Sequence, residues 1–191
     1  MTEVDTGHPD LGKSQLMGPV AQLQQQSGGV DDTVSMHSTI LGSSHLQWPD
    51  EAACEAFAQA LARRSELREA FIELHGPLGA GKTTFVRHLL RALGATGRIK
   101  SPTYAVMEPY TLPDLQAWHF DLYRFNDPSE WEDAGLREIL TGPGLKLVEW
   151  PDRAAGLLPV PDWRMELRPG DGDQREVMIS AYTPRGAALL G

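Results

Sequence analysis

Apolar positions recur at helical spacing in two places along the chain. Cys54, Phe57, Ala58 and Leu61 stand at i, i+3, i+4 and i+7, which predicts one buried helix face, with Asp50 as its N-cap. Val86, Leu89, Leu90 and Leu93 repeat that spacing, and Gly94 ends the run. Between them, "AFIELHG" predicts a short buried strand that feeds a glycine-rich turn. Further on, "TYAVMEPYTL" and "LQAWHFDLYRF" predict two strands joined by a turn near "LPD", hence a hairpin. "DPSEWEDAGLREIL" has the pattern of a helix, and "LKLVEW" that of a compact buried strand. "DWRMELRPGDGDQREVMISAY" predicts strand, Gly-Asp turn, strand, a terminal hairpin. No internal repeat is present.

Composition divides the chain. Residues 1–37 contain no Phe, Trp or Tyr, include "AQLQQQSGG", and have too little apolar surface to offset the entropy of ordering. They are expected to form a disordered tail before a folded domain over residues 38–185, which begins near "STILGSSHLQ". The 191 residues suit one domain with an extension, and 41% hydrophobic content suffices for a core. Apolar runs are too short for a membrane-spanning helix, and the N-terminus lacks the basic start and apolar block of a secretory signal. One cysteine, Cys54, allows no intrachain disulfide and fits a reducing cytoplasm; on the apolar helix face it reads as core rather than nucleophile. A net charge of −9 argues against a broad nucleic-acid surface, so direct RNA binding is not the first expectation.

The turn after "AFIELH" carries the chemistry. Gly76, Gly81, Lys82 and Thr83 satisfy G-x-x-x-x-G-K-[ST], between a predicted strand and an amphipathic helix. Glycines allow backbone N–H groups to converge on phosphate oxygens, and the helix N-terminus adds its positive dipole end. Lys82 brings a point charge to the β and γ phosphates, and Thr83 a hydroxyl for Mg2+. An acid at the end of a neighbouring strand is also required, and Asp121 and Glu149 both end apolar runs. The N-K-x-D stretch of guanine-specific sites is missing, which favours ATP. No His/Cys cluster suggests zinc. His75 and His119 fall in strands and read as structural, while Arg124 and Arg153 read as solvated. Trp150 can fill the core or stack on a nucleotide or partner.

Taken together, "GPLGAGKTTFVRHLLRALG", "KSPTYAVMEPY", "HFDLYRF", "EDAGLREIL" and "LVEWPDRA" resemble the TsaE (YjeE) family, over about residues 40–170. The phosphate loop alone is common to many NTPases; its combination with S-P-T-Y, D-L-Y-R and E-W-P is far more specific. The resemblance implies a P-loop NTPase α/β fold, with a central, mostly parallel sheet flanked by helices and antiparallel hairpin additions. It implies an ATPase that binds ATP and Mg2+ and acts with TsaB and TsaD, where TsaD transfers threonylcarbamoyl from threonylcarbamoyl-AMP to N6 of adenosine 37 in tRNAs reading codons that begin with A. The ATPase is thought to reset that complex, and tRNA contact is only indirect. By the family pattern Leu78, Gly79, Ala80, Gly81, Lys82, Thr83 and Thr84 wrap the phosphates, and Thr83 and Glu149 are magnesium ligands. Asp121 has a role in hydrolysis beside Lys82, Thr103 falls in a switch segment near the γ-phosphate, and Trp150 is the aromatic after the acid. Adenine contacts are implied around Ser43 to Trp48. The long N-terminal tail departs from the family core.

Hydrolysis would rest on the loop amides, Lys82 and Mg2+ stabilising charge on the transferring phosphoryl group, with Asp121 orienting water or coupling the switch. No arginine finger is evident in cis, which predicts slow turnover until partners complete the site. A small-molecule kinase would need an arginine-rich lid, and none is visible in the sequence. A nucleotide-gated binding module, which needs ATP binding but not hydrolysis, stays open at this stage.

Overall fold

The computed structural model describes residues 39–125 and 135–191. The segment read as a tail, and residues 127–134 of the expected "DPSEWEDAGLREIL" helix, lie outside the described residues. Seven strands form one sheet: β1 (Gly42–Trp48), β2 (Phe71–His75), β3 (Met107–Thr111), β4 (Gln116–Asp121), β5 (Leu145–Glu149), β6 (Trp163–Pro169) and β7 (Arg175–Ala181). Their order is β1-β7-β6-β2-β5-β4-β3. The central strands β6, β2, β5 and β4 run parallel. β3 pairs antiparallel with β4, and β7 with β6, so both expected hairpins form. β1 pairs antiparallel with β7 at the far edge, a contact between the two ends of the fold that no local pattern announces.

Side-chain alternation divides the core into two layers. Ile72 and Leu74 of β2 and Leu145 and Leu147 of β5 join one cluster, with α1 (Glu51–Leu61) and α2 (Lys82–Ala92). Phe71 and Val148, one residue out of phase, join the other, with Phe120 and α3 (Leu136–Thr141). The predicted helix faces are the buried ones: Cys54, Ala58 and Leu61 on α1, and Val86, Leu89 and Leu90 on α2. Asp50 caps α1, its side chain accepting from the Ala53 amide at 2.9 Å. Beyond α2, Gly94 takes φ 101°, the left-handed conformation that ends a helix. The chain closes with α4 (Pro184–Leu190), an element the sequence pattern did not predict; Thr183 caps it and Leu189 is buried. Among the described residues no helix is long and apolar enough to cross a membrane.

Cys54 is buried, and burial, reinforced by Glu51 and then Glu55, pushes its thiol up to about 12. The thiolate is the reactive form, so at pH 8 the folded protein should resist a thiol reagent that labels the urea-unfolded chain at once. Rapid labelling of the folded protein would contradict this burial.

Candidate functional site

The parallel strands bring their C-terminal ends together at one edge of the sheet, the usual location of an α/β ligand crevice. β2 runs directly into the loop over residues 76–81, and α2 begins at Lys82. Gly76, Gly79 and Gly81 all have positive φ, at 131°, 78° and 104°. Gly81 is the N-cap of α2 and makes no side-chain cap hydrogen bond. First-turn amides of a helix lack intrahelical acceptors, so this uncapped end suits an anion.

Lys82 folds back over its own loop. Its Nζ donates to the carbonyls of Gly76 at 2.7 Å and Pro77 at 2.9 Å, and lies 3.9 Å from the centre of the Trp150 ring. Burial pushes the ammonium below the usual lysine value, while Glu149 and then Asp121 push it back up. Thr83 Oγ1 donates to Glu149, with contacts of 2.8 Å to Oε1 and 3.0 Å to Oε2. Parallel register sets Asp121 of β4 directly beside Glu149 of β5, which in turn pairs with Leu74 of β2. Both acids are buried.

Asp121 is tied to the "KSPTY" loop. Its Oδ2 accepts from Ser101 Oγ and, at 2.9 Å, from Thr103 Oγ1, and its Oδ1 accepts from the Tyr123 amide at 3.0 Å. The strand expected from Thr103 begins only at Met107; the preceding residues turn, and Val106 takes φ 65° with its carbonyl accepting from the Asp121 amide. A β-branched residue in the left-handed region is strained and persists only where its surroundings hold it. Trp150, the other non-glycine residue with positive φ among those described, packs against Tyr123 with the rings tilted by 53° and their centroids 5.0 Å apart.

One cleft therefore gathers Leu78 through Thr84, Thr103, Asp121, Glu149 and Trp150, each of the expected site residues. Ser101 and Tyr123 line it too and were not anticipated. On the other side of the loop, a second hollow lies between Trp48, Asp50 and Glu51 and, across from them, Asp173 of the β6–β7 turn and Arg175 at the start of β7. Of the segment expected to contact adenine, only Trp48 lines this hollow. Arg175 Nε donates to the Ala80 carbonyl at 3.0 Å and so braces the loop. Arg124 lies over the Tyr104 ring at 4.4 Å. His75 joins Glu73, at 3.1 Å, to Asp152, at 3.4 Å, and so ties the base of the loop to the turn after Trp150.

The family model for the threonylcarbamoyl adenosine biosynthesis protein TsaE matches residues 48–177. The chain belongs to the TsaE family. A Haemophilus influenzae relative named tRNA threonylcarbamoyladenosine biosynthesis protein TsaE is 35% identical over 146 residues, covering 74% of this chain and 92% of its own. A Bacillus subtilis protein of the same name is 37% identical over 114 residues, 60% of this chain and 71% of its own. The crystal structure of Bacillus subtilis YdiB superposes with TM-score 0.66 at 26% identity, covering 80% of this chain and 95% of that one. The P-loop NTPase fold expected from the sequence is thus the fold present. The TsaE match includes the whole cleft, but stops short of α4 and of most of β1.

His119 also belongs to the site's surroundings: its Nε2 lies 2.8 Å from Glu149 Oε1. Period-two spacing offered the signal, since His119 precedes Asp121 by two on one strand face. Ser101 had a similar one, two residues before Thr103 in an irregular loop.

Proposed function

We propose that this TsaE-family chain is a cytoplasmic, Mg2+-dependent ATPase of tRNA threonylcarbamoyladenosine biosynthesis. In this reading it acts with TsaB and TsaD to support threonylcarbamoyl transfer from threonylcarbamoyl-AMP to adenosine 37 of tRNAs reading codons that begin with A. The observation that carries the reading is the convergence of Lys82, Thr83 and Glu149 at the uncapped N-terminus of α2.

The donor set fits the metal. Thr83 and Glu149, with Asp121 alongside, offer only oxygen, and among the described residues no group of three or more His, Cys, Asp or Glu forms a protein cage. Mg2+ favours such a partial set, completed by substrate phosphates and water. When bound, it would neutralise charge on the transferring phosphoryl group. The loop amides and Lys82 grip the phosphates, and Lys82 exchanges its carbonyl partners for phosphate oxygens. Asp121 orients the attacking water, and its bonds to Ser101 and Thr103 couple that orientation to the position of the loop.

Phosphate release from ATP tests the reading, measured for the protein alone and with a TsaB–TsaD pair. Strong stimulation by the pair is expected; unchanged release would refute a partner-completed ATPase. Glu149→Gln should weaken Mg2+-dependent ATP binding by at least about tenfold, since loss of even an outer-shell partner of a metal ligand costs about 10–100-fold, with little change in EDTA. Calorimetric titration in both buffers checks this, and equal losses would remove Glu149 from the metal.

A further inference from the structure

His119 is fully buried in the central sheet. Ala117 precedes it on the same face of β4, and Leu147 stands opposite it on β5. Its Nε2 meets Glu149 Oε1 at 2.8 Å, while its Nδ1 has no hydrogen-bond partner. An ionised carboxylate can only accept, so Nε2 carries the hydrogen, and Nδ1 is left as a buried polar atom without a partner. Packing alone does not call for this arrangement. A phenyl ring would fill the same space with no orphaned atom.

What the imidazole adds is an orientation of Glu149. Oε1 accepts two short bonds, from Thr83 Oγ1 and from His119 Nε2, both at 2.8 Å. Oε2 has only the longer 3.0 Å contact with Thr83. Rotation of the carboxylate about its last bond would exchange the two oxygens. The imidazole, fixed within the central sheet, opposes that rotation and leaves Oε2 with lone pairs to offer. We propose that His119 is a positioning residue that holds the Glu149 carboxylate ready for Mg2+, so that the gain in nucleotide affinity on adding the metal depends on its Nε2–H. This rests on the Mg2+–ATP reading of the site.

The test is equilibrium binding of ATP to the full chain, titrated calorimetrically in EDTA and in Mg2+. The wild type should bind more tightly in Mg2+. His119→Phe should match it in EDTA and lose about tenfold or more of the Mg2+ gain, the scale of outer-shell partners of metal ligands. His119→Gln should retain most of the gain, because its amide nitrogen reaches the place of Nε2. If the phenyl variant does not fold, His119→Asn replaces it, since its shorter amide cannot reach Oε1. Long-range proton–nitrogen NMR correlations on the wild type should show hydrogen on Nε2. A full Mg2+ gain in His119→Phe, equal loss in the Gln and Phe variants, or the opposite tautomer would each overturn the positioning role while leaving the ATPase reading intact. A wild type that binds ATP without any Mg2+ gain would overturn the metal reading itself, and this inference with it.

Discussion

Lys82→Ala should lower ATP turnover by at least about a hundredfold, since preorganised charge on a transferring phosphoryl group is among the largest catalytic terms. The side chain is placed for this role: buried, at the start of α2, within electrostatic reach of Glu149 and Asp121 and over the Trp150 ring. Its effect on stability should run the other way. Burial holds the folded-state pKa of Lys82 below the ordinary lysine value, so the folded chain binds that proton less tightly than the unfolded chain does. The charge therefore costs stability at every pH below the lowered value, and the cost fades as pH rises toward the ordinary lysine range. Lys82→Met, which keeps the stem but removes the charge and the donors to the Gly76 and Pro77 carbonyls, should be as inactive as the alanine variant. Its melting temperature relative to the wild type should fall as pH rises from 7 toward the ordinary lysine range. Phosphate-release assays and thermal melts on both variants check the two halves. Substantial turnover in either variant would remove Lys82 from the chemistry, and a melting-temperature difference that does not change with pH would contradict the burial cost.

Gly76→Ala should be the most damaging single methyl in the loop, costing about 3 kcal/mol or more, because two named sources of strain coincide. Its φ of 131° is one that L-residues rarely adopt, and an added Cβ would lie 2.2 Å from the Leu167 carbonyl oxygen. That oxygen is backbone on β6, next to the residue that pairs with His75, so it cannot rotate away. Any shift also moves the Gly76 carbonyl that accepts from Lys82, so phosphate binding should fail along with stability. Gly79→Ala is the control. It also has positive φ, at 78°, but an added Cβ meets nothing within 4 Å, so it should cost only the conformational strain, about 1–2 kcal/mol. Urea unfolding midpoints compare the two, and equal losses would mean that the contact with β6 does not matter.

The legible parts of the sequence were those whose cause lies within a few residues. Helical spacing placed the buried faces of α1 and α2, and Asp50 capped α1 as its side chain and position required. The loop motif was complete in eight consecutive residues, and each hairpin carried its own turn. Less legible was α4, a short C-terminal helix whose small and apolar residues show no long periodic run. β3 starts later than its pattern predicts, because the apolar look of "TYAV" belongs to a loop tied down by Asp121 rather than to a strand.

The sequence by itself determined the phosphate loop, the helix that follows it, and two acids at strand ends, together with a set of motifs that place the chain in its family. Only the tertiary structure decided which groups touch. It paired Asp121 with Glu149, brought Glu149 to Thr83 and His119, set Lys82 over the Trp150 ring, and tied Arg175 to the loop through the Ala80 carbonyl. The physical reason is the range of the interactions. A period of two tells which face of a strand a side chain takes, but not which strand lies alongside. In a parallel sheet that neighbour comes from a distant part of the chain, and its register is settled by packing the whole core.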